Sequence, residues 1–205
     1  MNIPEIILAS ASARRREILT HLGLEPRILV SDADETVDRV LTPELFTEEL
    51  SLRKAQAVMP LIKRDQLLIA SDTVVAKGDT IFGKPHSEKE AFDMLSALSG
   101  STHKVVSGVA LSLNGQTSVT HDVTLVTFRE LSKTEILRYV ESGEPFDKAG
   151  GYGIQDTASV FIEKIDGEYF NVVGLPVYKM FSVLKSDFGL DYFTLKLGCK
   201  ARKKD

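Results

Sequence analysis

Residues 67–75, Leu-Leu-Ile-Ala-Ser-Asp-Thr-Val-Val, constrain the fold more than any other stretch of this chain. The run begins as apolar residues without alternation, which is typical of a strand buried on both faces. Asp72 interrupts it, and a buried carboxylate is costly unless an opposite charge compensates it. We therefore expect a metal ion or a lysine to face Asp72. The alternative is a strand that ends at Ala70, but the apolar residues after Thr73 favour a continuous strand.

Residues 78–84 fit the pattern G-x-x-x-x-G-K of phosphate-binding P-loops. The next residue is Pro85, where a P-loop needs a Ser or Thr hydroxyl for magnesium. Asp79 would also place a negative charge among the phosphates. Residues 77–79 instead predict a turn between two strands. The P-loop interpretation is therefore rejected.

Length and composition favour one domain, or two small lobes that share one cleft, since 205 residues with 43% hydrophobic residues can bury a substantial core. The net charge of -4 argues against a general nucleic-acid binder. No apolar run is long enough to span a membrane, and the first residues lack the basic region of a signal peptide. The single cysteine, Cys199, excludes an internal disulfide framework and a Cys-based zinc site. We expect a soluble, cytoplasmic protein that binds neither nucleic acid nor membranes.

A short apolar strand at residues 5–9 leads through a serine-rich turn into a helix that carries Arg14, Arg15 and Arg16 in its first turn. The free N–H groups at such a helix start form an anion site. Arginines there oppose the helix dipole unless an anionic ligand is present. We therefore predict a phosphate site, although one of the three arginines is expected to be merely solvated.

Lys54 lies in the middle of the apolar face of a second predicted helix, which Thr42 and Pro43 open. A lysine there either extends outward along the apolar surface or reaches into a cleft that holds anions. The spacing leaves both possibilities open. The acidic run at residues 31–35 predicts a solvated loop, which matters only if one of its carboxylates joins Asp72.

The rest of the chain mixes helices with hairpins. Capping boxes predict helices from Ser87 and Ser132, and Asn114-Gly115 predicts a tight hairpin. Residues 159–167 predict another hairpin, and a helix ends near Gly189. The glycine-rich residues 143–155 predict a loop that closely approaches a ligand. Together these elements indicate an α/β fold with a mixed sheet.

Several blocks in a fixed order closely resemble the Maf family of nucleoside triphosphate pyrophosphatases over about residues 5–188. The blocks are LASASARR at 8–15, Glu35, Lys54, SDTVV at 71–75, GKP at 83–85, GEP at 143–145, DKAGGYGIQ at 147–155 and VGLP at 173–176. The resemblance implies an elongated, two-lobed mixed sheet flanked by helices around a deep central cleft, similar to inosine triphosphate pyrophosphatases. It also implies a homodimer. We expect this domain to cover residues 1–188, with residues 189–205 forming a basic, frayed tail.

The resemblance implies hydrolysis of dTTP and UTP, or of modified pyrimidine nucleotides, to the monophosphate and pyrophosphate. Asp72 would be the catalytic base and, with Glu35, would hold Mg²⁺ or Mn²⁺. The implied substrate-binding and specificity residues are Ser10, Arg14, Lys54, Thr73, Lys84 and Gln155. Thr73 resembles the dTTP/UTP branch, since a sister branch acting on 7-methyl-GTP carries glutamine there. Attack at phosphorus depends on charge neutralisation, which lysines, an arginine and a metal supply.

Three positions depart from the usual family pattern, namely Ala13 for proline, Gly151 for alanine and Asp156 for glycine. A carboxylate at position 156 could shift the preference between bases. A nucleotide-binding regulator of septum formation with little turnover is the alternative function. The carboxylates and lysines favour the enzyme, because a mere binder gains nothing from Asp72 facing a phosphate.

Overall fold

The computed structural model describes residues 3–202, the side chains of 200–202 excepted, and within this range the strands form one seven-stranded mixed sheet flanked by helices. The strands are β1 (Ile6–Leu8), β2 (Arg27–Ile28), β3 (Leu67–Lys77), β4 (Thr80–Phe82), β5 (Thr102–Leu113), β6 (Gln116–Phe128) and β7 (Ile162–Asp166). The helices are α1 (Ala13–His21), α2 (Pro43–Val58), α3 (Glu88–Leu98), α4 (Lys133–Glu141), α5 (Tyr169–Val173), α6 (Val177–Phe188) and α7 (Tyr192–Arg202). The predicted α/β class with a mixed sheet is confirmed.

The strand order is β2-β1-β3-β5-β6-β7, and β4 pairs with the end of β3. β1 lies parallel to both β2 and β3, whereas β3, β5, β6 and β7 pair antiparallel in turn. The hairpins at Lys77–Thr80 and at Asn114-Gly115 form as predicted, with both hairpin residues 114 and 115 at positive φ. No helix in the described part is both long and apolar enough to cross a membrane.

β3 continues without a break through Ser71, Asp72 and Thr73, so the alternative of a strand ending at Ala70 is wrong. Asp72 is paired with Gly108 on β5. A Cβ at position 108 would overlap the backbone of Thr47, because α2 crosses directly over this glycine. This close approach of α2 to the sheet brings the lysine of α2 within reach of Asp72.

Two large apolar clusters lie at opposite ends of β3 and β5. One includes Leu19, Ile69 and Leu111, and the other includes Val75 and Phe128. The polar residues 71–73 lie on β3 between the two clusters. The sheet is therefore continuous, whereas the apolar side chains packed on it form two separate clusters. This separation is the physical basis of the expected lobes and cleft.

The prediction of a further hairpin at residues 159–167 is wrong. β7 pairs with β6, and the turn at Gly167 leads into helix α5. Gly167 packs so closely against Thr124 that a Cβ would meet its hydroxyl oxygen at 2.8 Å, and Thr124 donates a hydrogen bond to the Glu168 carbonyl. These contacts direct the chain away from the sheet.

The capping box at Ser132 is complete, whereas at the predicted box of Ser87 the Glu90 carboxylate accepts from the N–H of His86.

The prediction of a frayed tail after residue 189 is also wrong for most of its length. Residues Tyr192–Arg202 form α7, and Leu195 and Cys199 are buried in the first apolar cluster. The Tyr192 hydroxyl donates to the carbonyl of Leu22 over 2.8 Å, and Gly198 lets the helix pack directly against Ile3. Leu195 and Cys199 share one helical face, a signal that the basic residues obscured. Residues 203–205 lie outside the described range.

His103 is buried in the second cluster, where its Nε2 lies 2.7 Å from the Tyr152 hydroxyl and its ring meets Phe128 edge-on. Burial, together with the nearby charge of Lys77, lowers the pKa of His103 to about 4. The imidazole is therefore neutral in the folded protein at neutral pH.

We predict that His103 makes the fold acid-sensitive. Its folded pKa lies below its unfolded value of 6.5, so the unfolded chain binds an extra proton between those values. Stability present above pH 6.5 should fall by about 3 kcal/mol as the pH drops towards 4. Urea unfolding of the wild type and of His103→Gln at several pH values checks this. The variant cannot titrate at this position, so equal pH slopes for both proteins would contradict the prediction.

Candidate active site

A cavity of about 680 Å³ lies between the two apolar clusters. All eight residues predicted for the site line it, namely Ser10, Arg14, Glu35, Lys54, Asp72, Thr73, Lys84 and Gln155. They come from segments far apart in the chain, which the sheet order brings to one place. Lys84 follows β4 and is exposed, and Gln155 lies exposed on the loop before β7.

The centre of the cavity is a lysine held between two carboxylates. The Lys54 Nζ lies 2.5 Å from Asp72 Oδ1 and 3.0 Å from Glu35 Oε1. The side chains of Lys54 and Asp72 are each only 12% exposed, whereas that of Glu35 is 61% exposed. Lys54 thus reaches into the cavity, and the expectation that a cation faces Asp72 is confirmed. One carboxylate of the acidic run, Glu35, does join Asp72.

The start of α1 forms one wall of the cavity. Ser12 caps the helix by accepting from the Arg15 N–H, and Ser10 accepts from the Ser12 N–H over 3.2 Å. The Arg14 guanidinium crosses to Asp147, with 2.9 Å between Nη1 and Oδ2. Arg16 is exposed, as expected for one of the three arginines.

Arg15 is one of the cavity residues that the sequence interpretation did not assign to the site. Its guanidinium donates to the Gly174 carbonyl over 2.8 Å, to the Thr73 hydroxyl over 3.0 Å and to the Ser10 hydroxyl over 3.2 Å. Burial lowers the pKa of Arg15, against the opposing effect of the Asp72 charge. The signal was helical spacing: Arg15 precedes the buried Leu19 by four residues.

The hydroxyl groups beside Asp72 are fixed by hydrogen bonds to neighbouring segments. Ser71 donates to the Gly174 carbonyl over 3.1 Å, and the Thr73 hydroxyl lies 2.8 Å from that of Ser107. Gly174 has a φ of +125°, which a residue with a side chain rarely adopts. This backbone turn aims one carbonyl at both Ser71 and Arg15, so the groups around Asp72 are held in fixed positions.

The two central carboxylates can be tested as metal ligands. Among residues 3–199, no group of three or more His, Cys, Asp or Glu side chains is placed to hold a metal. Mg²⁺, however, is commonly bound through one or two carboxylates together with substrate phosphates. Asp72 and Glu35 converge on one point, the Lys54 ammonium, so they fit a metal whose remaining ligands come from the substrate and water.

We predict that Lys54→Met destabilises the fold by about 3 kcal/mol, because it leaves the Asp72 carboxylate buried without a partner. The double variant Lys54→Met/Asp72→Asn should recover most of this loss. Urea unfolding at neutral pH measures both. Lys89→Met is the matched control, because it breaks an exposed ion pair with Asp93 on α3 and should change little. An Lys54→Met protein as stable as this control would refute the prediction.

Comparison with known proteins gives consistent matches over nearly the whole chain. The family model described as "Maf-like protein" matches residues 5–187. The chain is 49% identical over 188 residues to a protein named dTTP/UTP pyrophosphatase from Desulforamulus reducens, which covers 91% of this chain and 97% of that protein. A protein of the same name from Thermosipho africanus is 45% identical over 180 residues, covering 88% of this chain and 92% of that protein.

A solved structure with some likeness is that of the Staphylococcus aureus Ham1 protein. The TM-score is 0.44 at 16% identity, and the match covers 60% of this chain and 71% of that chain.

Proposed function

Because this chain belongs to the Maf-like protein family, we propose that it is a nucleoside triphosphate pyrophosphatase that hydrolyses dTTP and UTP to the monophosphate and pyrophosphate. The observation that carries the proposal is the convergence of Asp72, Glu35 and Lys54 in a cavity that also holds two arginines. The names of the relatives support these two nucleotides as substrates.

The cavity wall formed by α1 would bind the phosphates. The helix start contributes N–H groups and the positive end of its dipole, while Arg14 and Arg15 add two cations. Lys54 and Lys84 line the same cavity. Charge that develops on the phosphate oxygens during attack at phosphorus would be stabilised by these fixed cations.

Asp72 and Glu35 would hold Mg²⁺ or Mn²⁺. When bound, such an ion neutralises phosphate charge and lowers the pKa of a water molecule that it coordinates. Asp72 would accept a proton from the attacking water as the bond between the α- and β-phosphates breaks and pyrophosphate leaves. The Lys54 ammonium, which pairs with both carboxylates here, would then be available to a phosphate oxygen.

The nucleobase of the substrate would lie near Thr73 and Gln155. The Thr73 hydroxyl is held by Arg15 and Ser107, so its position is set by the protein rather than by the substrate. The Gln155 amide is both donor and acceptor, which matches the carbonyl and N–H edge of uracil and thymine. The 5-methyl group that distinguishes these bases would need no polar partner.

The proposal predicts fast release of pyrophosphate from dTTP and UTP in the presence of Mg²⁺ or Mn²⁺. Asp72→Asn should lower kcat by about 10²-fold or more, because it removes both the base and a metal ligand. The control Asp79→Asn makes the same change at the exposed tip of the β3–β4 hairpin and should leave kcat unchanged. The assay should include a panel of canonical and methylated nucleotides.

The outcomes separate the two candidate functions. If the protein binds nucleotides but hydrolyses none of the panel, the enzyme proposal is wrong. That result would favour a nucleotide-binding regulator of septum formation. If Asp72→Asn hydrolyses the nucleotides as fast as the wild type at saturating metal, the proposed reaction is correct but the assignment of Asp72 as the catalytic residue is wrong.

We further propose that the protein acts as a cytoplasmic homodimer on free nucleotides rather than on nucleic acid or membranes. The family resemblance supports the dimer, and the net charge of -4 disfavours nucleic acid. Light scattering after size exclusion should give about twice the chain mass of 22.6 kDa. A mass of one chain across the micromolar range would contradict the dimer.

A further inference from the structure

Asp147 holds two cations from different parts of the chain on one carboxylate. It ends the short turn Glu144–Asp147 and lines the cavity. Its Oδ2 accepts from Arg14 Nη1 over 2.9 Å, and its main-chain oxygen accepts from Arg14 Nη2 over 3.1 Å. Its Oδ1 accepts from Lys148 Nζ over 2.6 Å. The carboxylate therefore links α1 to the loop that leads to Gln155.

The Arg14–Asp147 pair also joins the two sides of the cavity. Arg14 stands on α1, whose Ile18 and Leu19 belong to the first apolar cluster. The turn of Asp147 is anchored by the buried Pro145, which lies near Gly151 and so on the side of the second cluster. The relative position of phosphate-binding helix and loop thus depends in part on this contact.

Lys148 lines the cavity, and its ammonium faces three oxygen atoms of its own loop. It bonds the Glu144 carbonyl at 2.8 Å and Asp147 at 2.6 Å, and Asp156 Oδ2 lies 3.3 Å away. An ammonium has three N–H donors, and three oxygens surround this one. Its side chain is only 8% exposed. Lys148 is therefore held in place by oxygen atoms of its own loop.

The position of Lys148 sets the path of the backbone before Gln155. The Lys148 side chain crosses Gly153 so closely that a Cβ there would overlap both Lys148 and Asp156. Gly153 lies two residues before Gln155. The carboxylate of Asp156, where glycine is usual in the family pattern, provides the third oxygen around Lys148.

Asp147 occupies only part of the Arg14 guanidinium. The two hydrogen bonds to Asp147 use Nη1 and Nη2 once each. A guanidinium has further N–H donors, and those remain for a phosphate. Asp147 can therefore fix Arg14 without preventing it from binding the substrate.

We infer that Asp147 is a positioning residue that couples the phosphate end of the cavity, through Arg14, to the Gln155 segment, through Lys148. The inference rests on the proposed function and assigns no contact between Asp147 and the substrate. Burial alone would raise the pKa of Asp147, but hydrogen bonds from Lys148 and Arg14 outweigh it and hold that pKa below its usual value. The carboxylate is thus charged at neutral pH.

Asp147→Asn tests the coupling with almost no change in shape. A carboxamide has one oxygen, so its NH₂ group must face either Arg14 or Lys148, both of which only donate. We expect KM for dTTP and UTP to rise about two- to fivefold, the range typical of an exposed ion pair, with kcat within about twofold. The preference for dTTP over dCTP, as a ratio of kcat/KM, should fall by a similar factor.

Three further measurements sharpen the test. Asp147→Glu keeps both oxygens and should restore most of the preference. Asp93→Asn removes an exposed carboxylate that pairs with Lys89 over 2.5 Å on α3, and it should leave KM and preference unchanged. Calorimetry with the non-hydrolysable α,β-imido analogue of dTTP should show the same weakening for Asp147→Asn without any turnover.

Failure of this inference differs from failure of the proposed function. If the wild type binds but does not hydrolyse any nucleotide, the enzyme proposal fails, and the calorimetric comparison still tests Asp147. If the wild type is active and Asp147→Asn matches Asp93→Asn in KM, preference and affinity, the inference is overturned. A fall in kcat alone, or lower thermal stability with unchanged KM, would overturn it as well.

Discussion

The ion pair between Asp72 and Lys54 is the constraint on which the rest of the structure depends. A carboxylate in the middle of a buried strand requires a compensating cation, and α2 supplies it. For the lysine to reach the strand, α2 must lie directly on the sheet, and Gly108 makes that approach possible. The buried carboxylate, the lysine that pairs with it and the glycine that lets the helix approach therefore depend on one another.

The polar residues 71–73 of β3 explain how a cavity can lie over the middle of one continuous sheet. Ser71 and Thr73 do not interrupt the strand, because the Gly174 carbonyl and the Arg15 guanidinium satisfy their hydroxyl groups. Backbone pairing with β5 continues through residues 71–73, so the strand stays ordered where neither of the two apolar clusters packs on it. A cavity lined by such prearranged groups needs little reorganisation when charge develops on a ligand.

Much of this site was predictable, because the residues involved contradict their surroundings. Asp72 in an apolar run and Lys54 on an apolar helix face each required a partner, and they proved to be partners of one another. The sequence could not decide whether Lys54 points in or out, since that depends on the approach of α2 at Gly108. Arg15 was missed for a similar reason, because its partner Gly174 lies far away in the chain.

The fold was predictable where local signals are strong and less so where tertiary contacts decide. Asn114-Gly115 specifies a turn by its own backbone preference, and the hairpin forms. The segment after Gly167 becomes a helix because Thr124 and the neighbouring strand redirect it, which no local pattern reveals. Helix α7 is stable because Leu195 and Cys199 find a place in the core, whereas its basic residues suggested a solvated tail.

The charges that line the cavity bear on the proposed metal. The cationic side chains are Arg14, Arg15, Lys54, Lys84 and Lys148, and the carboxylates are Glu35, Asp72 and Asp147. Five positive and three negative lining groups sum to +2, and Asp156, which lies 3.3 Å from the Lys148 ammonium, lowers the sum to +1. A nucleoside triphosphate carries about four negative charges near neutral pH, so these protein groups offset only a minor part of its charge. One divalent cation bound with the triphosphate adds about two positive charges and brings the site closer to neutrality.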